Sequence, residues 1–175
     1  KVGVNTHSSN KIVHDALKNN LIDEFKNLLE IKPETKFGTN TRFDFLVLKK
    51  KDKSFIEVKN VTLCRKKEIA EFPDAVTSRG LKHINELLKA SKKNYKIYIL
   101  YLIQRDDCKS FTIAKDIDPN YANALTKAVK KKLNILCYDC KFSSKGIKLS
   151  NKVKFKIWWI KILKRHLKKP ELLDQ

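Results

Sequence analysis

Two alternating runs joined by a charged turn, RFDFLVLKKKDKSFIEVKN from Arg42 to Asn60, constrain this chain more than any other stretch. Arg42 to Leu48 and Ser54 to Lys59 are rich in β-branched and aromatic residues, and the lysine-aspartate segment between them breaks the pattern, so they read as an antiparallel hairpin. A turn centred on Lys50 and Lys51 sets Asp44 opposite Glu57, Arg42 opposite Lys59 and Phe45 opposite Ile56. Directly opposed residues hold their Cβ atoms about 4.5–5.5 Å apart. Two carboxylates at that spacing can share one divalent cation. Lys59 joins their face because strand side chains alternate with a period of two.

Two acids this close on an apolar hairpin repel, so one of them keeps its proton unless a cation resolves the conflict. Asp44, Glu57 and Lys59 supply what metal-assisted phosphodiester hydrolysis needs: two oxygen ligands for Mg²⁺, and a lysine that orients water or offsets charge on the phosphate. The same spacing also suits a plain surface hairpin in which Glu57 pairs with Lys59 or Arg42. Against that plain reading, Leu46, Leu48 and Phe55 fall on the carboxylate face, so both faces are largely apolar, as in a central strand.

The chain has 175 residues, enough for one domain with one sheet and flanking helices. Its formal net charge of +20 points to a polyanionic partner, most simply nucleic acid, with DNA and RNA both open. Only five of the basic residues are arginine, a usage that an A+T-rich genome also produces on surfaces. Cys64, Cys108, Cys137 and Cys140 do not make a disulfide framework in a chain of this size. Cys137 and Cys140 form a C-x-x-C inside the apolar run NILCYDC, where a strand sends residues three apart to opposite faces, which argues against chelation. His7, His14, His83 and His166 lack zinc-ligand spacing. No signal peptide or membrane-spanning run is visible, which makes the cytoplasm the default. The sequence opens on Lys1 and contains no methionine. A trimmed product, an excised domain and an unusual start codon are all open.

In order, VGVNTHSSNKIVHDALKNN reads as a short strand, a turn and a helix capped by Asn10, burying Ile12, Val13, Ala16 and Leu17. Asp15 on this helix is an outlying candidate metal ligand. Leu21 to Leu29 reads as a second helical piece, then IKPETKFGTN as an irregular lead-in carrying Glu34, a second outlying acid. Beyond the hairpin a helix is expected from an N-cap at Asp74, with Thr77, Leu81, Ile84, Leu87 and Leu88 inward and Arg79, Lys82, His83 and Glu86 outward. Arg42, Arg79, Lys82, His83 and Arg105 are candidate phosphate contacts. Tyr95 to Asp107 is a buried strand, and Gln104 at its end is a candidate site residue because open α/β sheets place ligands there. A helix from Asp118-Pro119, a strand at NILCYDCKF and an edge strand after Gly146 complete a mixed α/β sheet with helices on both faces.

VGVNT with NKIVHDAL, ETKFGTNTRFDFLV, IEVKNVTL, FPDAVTSRGLKHINEL and IDPNYANAL stand in one order over about residues 2–153. In these segments the chain resembles the sugar fermentation stimulation protein family, SfsA. The resemblance implies a restriction-endonuclease-like PD-(D/E)XK domain over residues 1–155. Asp44, Glu57 and Lys59 would be its acidic, acidic and lysine positions, with Asp15 or Glu34 as an outlying acid and Gln104 on the following strand. It further implies DNA binding with a link to sugar metabolism, and leaves nuclease activity open. The family pattern has an N-terminal OB-type barrel ahead of the VNT segment and a glutamate at position 15. That barrel is not in this sequence, so a remnant, or a module whose barrel is a separate partner chain, is a further reading. Residues 156–175, with KIWWIKILKRHLKK, form a basic amphipathic tail outside the family match. Three functions follow: a DNA-binding protein with a retained Mg²⁺ cluster, a Mg²⁺-dependent nuclease on DNA or RNA, and a partner-dependent module.

Overall fold

The structure, a computed structural model, describes residues 1–3, 8–144 and 146–156. From position 157 onward, the expected tail lies outside the described residues. Six strands form the main sheet: β1 (Glu30–Phe37), β2 (Thr41–Leu48), β3 (Lys53–Val61), β6 (Lys96–Ile103), β8 (Asn134–Ser143) and β9 (Gly146–Lys152), in the order β1-β2-β3-β6-β8-β9. The pairs β3–β6 and β6–β8 are parallel, and the outer pairs are antiparallel. A second sheet, absent from the sequence reading, has the order β10-β7-β5-β4, made by β4 (Leu63–Lys66), β5 (Ile69–Phe72), β7 (Ser110–Ile113) and β10 (Lys154–Phe155). These strands have only two to four residues, too few to show a period.

Helix α1 (Ser9–Lys18) covers one face of the main sheet, while α2 (Ser78–Lys92) and α3 (Pro119–Lys130) cover the other with the small sheet. Alternation in β6 builds both cores. Ile97, Ile99, Tyr101 and Ile103 meet Ile84 and Leu87 of α2 and Tyr121 and Leu125 of α3, while Leu100 and Leu102 meet Val13, Ala16 and Leu17 of α1. The α1 stripe is buried as expected, and so is the cap of α3, where Asp118 accepts from the Tyr121 N–H at 2.9 Å ahead of Pro119. Cys137 and Cys140 sit in opposite cores, and all four cysteines are free thiols.

Three local expectations change. Ser8, not Asn10, holds the cap position of α1, which frees the Asn10 side chain. Thr77, not Asp74, caps α2, accepting from the Gly80 N–H at 2.9 Å. Leu21 to Leu29 contains only a 3₁₀ turn at Asp23–Phe25, and the lead-in after it is the edge strand β1. That strand is mostly exposed and alternates charge, with Glu30, Lys32, Glu34 and Lys36, and it carries Pro33. Both are edge-strand features, and they obscure its two core-packing residues, Ile31 and Phe37.

The hairpin register holds at Phe45–Ile56, Leu46–Phe55, Val47–Ser54 and Leu48–Lys53, then stops. Phe43 belongs to the core under α2 and α3, whereas Phe45, two residues on, belongs to the core under α1. A regular strand keeps such residues on one face. The switch falls at Asp44, across from Glu34, whose φ of +48° lies in the left-handed region.

Candidate metal centre

The expected direct pairing of Asp44 with Glu57 is absent, since the β2–β3 ladder ends one residue earlier. Asp44 instead fills the gap where the strands part. One carboxylate oxygen accepts the Val58 N–H at 2.7 Å, and the other accepts Asn10 Nδ2 at 2.8 Å from the first turn of α1. Burial, and then the charge of nearby Glu57, push the Asp44 carboxyl up to about 6. The two acids thus influence each other electrostatically although they do not face each other across the ladder.

Glu57, only 3% exposed, lies on β3 beneath α2. Its Oε1 accepts from Lys59 Nζ at 2.7 Å and is also hydrogen-bonded to His83 Nδ1. Burial raises this carboxyl, but the His83 hydrogen bond and the Lys59 charge outweigh it, so Glu57 sits below the ordinary glutamate value. Its Oε2 is buried with no hydrogen-bond partner among the described residues. An unpaired charged oxygen in that position is costly, and a cation is what would satisfy it. The Asp44 oxygens each keep a second lone pair beside their present donors. Asp44 and Glu57 are therefore chemically suited to a hard divalent ion. Among the described residues no group of three or more His, Cys, Asp or Glu side chains gathers into a metal site, so two carboxylates would be the protein's share.

Lys59 shares the face of Glu57 as expected, 12% exposed at its side chain. Arg42 is exposed, and the β2–β3 pairing that was to bring it opposite Lys59 does not reach it. Asp15, on the outer side of α1, and Glu34, on the edge strand, are both exposed and outside this cluster. Gln104 is fully buried at the end of β6. Its Nε2 donates to Ser9 Oγ at 2.9 Å and to Asn60 Oδ1 at 2.6 Å, tying α1 to β3, while its Oε1 has no partner among the described residues. Arg79 is exposed on α2, and Lys82 donates to the Asn40 carbonyl at 2.9 Å. Arg105 is engaged by both oxygens of Asp107 and by the Thr62 carbonyl, so its guanidinium is committed within the protein.

His83 is the principal relocation. The inward face of α2 is Gly80, His83, Ile84, Leu87 and Ala90, which turns His83 from a solvent-facing phosphate contact into a buried partner of Glu57. The spacing 80, 83, 84, 87 was readable as the apolar stripe, but a histidine within it invited the opposite choice. Asn10 had no sequence signal beyond its place near a helix start.

Comparison with known proteins follows the same outline. Residues 7–146 match the family described as sugar fermentation stimulation protein RE domain. A sugar fermentation stimulation protein homolog of Pelagibacter ubique is 53% identical over 153 residues, which are 87% of this chain and 66% of that protein. One from Agrobacterium fabrum is 40% identical over 90% of this chain and 66% of its own length. The solved structure of Pyrococcus furiosus SfsA in complex with Ca²⁺ superposes with a TM-score of 0.80 at 26% identity, covering 88% of this chain and 66% of that one. This chain thus spans a little under two thirds of each of these proteins. With a restriction-endonuclease-like mixed sheet and a match over most of its length, the chain belongs to the sugar fermentation stimulation protein (SfsA) family.

Proposed function

We propose that this chain binds DNA and holds one divalent cation between Asp44 and Glu57. The observation that carries the metal reading is the buried Glu57 Oε2, which has no hydrogen-bond partner among the described residues, while the Glu57 charge helps raise the Asp44 carboxyl to about 6. Mg²⁺ suits a two-carboxylate site because it keeps several waters or takes phosphate oxygens for its remaining positions. The Ca²⁺ in the archaeal relative supports an oxygen-ligand site of this kind. The net charge of +20 supports a polyanionic partner. Thermal denaturation with and without Mg²⁺, on wild type and Glu57→Ala, tests the ion: stabilisation by Mg²⁺ in wild type alone is expected, and equal shifts in both reject it. Anisotropy titrations of labelled DNA and RNA at two salt concentrations test the polyanion, and affinity insensitive to salt rejects it.

A second reading, phosphodiester cleavage, is favoured by one specific contact, Lys59 Nζ at 2.7 Å from the carboxylate that would hold the ion. A bound divalent ion supplies charge neutralisation at a phosphate oxygen. Asp44 is braced by Asn10 and the Val58 N–H, Glu57 by His83, and Lys59 is a half-sheltered cation next to the site where an attacking water or a phosphate would stand. Incubation of plasmid and single-stranded substrates with Mg²⁺ or Mn²⁺, beside Glu57→Ala, decides it. Cleavage that survives the substitution would come from a contaminant.

A further inference from the structure

The outer side of α2 carries basic residues that the metal centre does not use. Lys82, Glu86, Lys89 and Lys93 stand at i, i+4, i+7 and i+11, one stripe of a helix. This stripe walls a hollow of about 390 Å³ between α2 and the turn joining β1 to β2. A second hollow of about 670 Å³ on its other flank shares Lys82, Glu86 and Lys89 and adds Lys92 and Lys131. Among the described residues Glu86 is the one acid lining either hollow, and it is already paired with Lys89 at 2.7 Å. The ends of the stripe are held: Lys82 donates to the Asn40 carbonyl at 2.9 Å, and Lys93 Nζ lies 5.5 Å from the Phe37 ring centroid.

We infer that this hollow between α2 and the β1–β2 turn is a track for the phosphate backbone of a nucleic acid, leading to the metal centre. The inference rests on the nucleic-acid reading above and gives it a location. Charge fits: the hollow beside the turn is lined by Lys82, Lys89, Lys93 and Glu86, a surplus of two positive charges once Lys89 is paired with Glu86. Length fits as well. From Lys82 to Lys93 the helix rises about 16 Å, against about 3.4 Å per nucleotide along one strand, so the stripe spans about five nucleotides. Position fits on both sides of the sheet edge. The turn that forms one wall runs straight into β2 and reaches Asp44 four residues after Asn40, and His83, the neighbour of Lys82, touches Glu57 from the inner side of the same helical turn.

The test is the salt dependence of binding to a labelled 20-nucleotide single strand and its duplex, without metal. Replacing three phosphate-contacting lysines in Lys82→Gln/Lys89→Gln/Lys93→Gln lowers the slope of log K against log salt by about 2 for the single strand and about 2.7 for the duplex. The control Lys18→Gln/Lys141→Gln/Lys148→Gln changes net charge equally at exposed sites on α1, β8 and β9 and shifts the slope by less than half as much. Equal falls in both triple variants, or no fall in the first, overturn the track while leaving nucleic-acid binding standing. Wild type that does not bind at low salt overturns both. Lys89→Glu/Lys93→Glu leaves the Lys82–Asn40 bond in place and decides the matter if the triple variant loses its circular dichroism spectrum; unchanged affinity there also overturns the track.

Discussion

Replacing Asp44 by asparagine should stabilise the metal-free protein at neutral and alkaline pH, although Asp44 belongs to the proposed ion site. In the fold its carboxyl is raised from 3.8 to about 6, chiefly by burial and then by Glu57. A raised carboxyl means the native state prefers the protonated group. The ionised form therefore costs nothing below about pH 4, costs more as pH rises from 4 to 6, and reaches its full penalty above 6. At 1.36 kcal/mol per pH unit that penalty is about 3 kcal/mol. Asparagine removes it but must serve the Val58 N–H and Asn10 Nδ2 with one carbonyl oxygen, which costs about 1 kcal/mol. The net gain of about 2 kcal/mol corresponds to a Tm higher by about 4–8 °C at pH 8. At pH 4 the gain should vanish or reverse. Thermal denaturation in EDTA at pH 4, 6 and 8 measures both the size and the pH window. An Asp44→Asn protein less stable than wild type at pH 8, or a Tm difference that is the same at pH 4 and pH 8, would refute the reasoning. In Mg²⁺ the order should narrow, because an ion at the site relieves the same repulsion in wild type alone.

Further outcomes follow from other contacts. His83→Leu deprives the buried Glu57 carboxylate of a charge-assisted donor and should lose about 2 kcal/mol in denaturant unfolding. His83→Asn, whose amide can stand in for Nδ1, should recover part of that loss and of the Mg²⁺-induced Tm shift, whereas equal losses in both variants would assign His83 to packing alone. Gln104→Ala strips Ser9 and Asn60 of a shared donor and should cost about 2–3 kcal/mol, with hydrogen exchange rising in α1 before the other helices. Chelation of zinc should leave Tm unchanged, because Cys137 and Cys140 lie in different cores and burial pushes the Cys140 thiol up to about 12. Tyr101→Phe removes half of the buried 2.6 Å hydroxyl pair with Tyr121 and should lower stability by about 1 kcal/mol at pH 7.

Much of this protein was written in local pattern. The period of two in β2 and β3, the unbroken apolar run of β6, the stripe of α1 and the Asp-Pro start of α3 depend on neighbours in sequence, and each element stands where that pattern puts it. The turn set the register at Phe45–Ile56, and the E-x-K spacing put Glu57 and Lys59 on one face. What lay beyond reach were choices made between elements distant in the chain. β1 became a strand because the open edge of β2 needed a partner, with only Ile31 and Phe37 packing on the cores amid charged and proline positions. Asp44 left the ladder because a kink opposite Glu34 opened a gap in which the Val58 N–H and Asn10 could satisfy it better than a facing carboxylate could. His83 turned inward because Glu57, 26 residues earlier, offered a buried charge in need of a donor. Propensity and period act over a few residues, whereas desolvating a charge is settled by whichever groups the completed fold brings within hydrogen-bond reach.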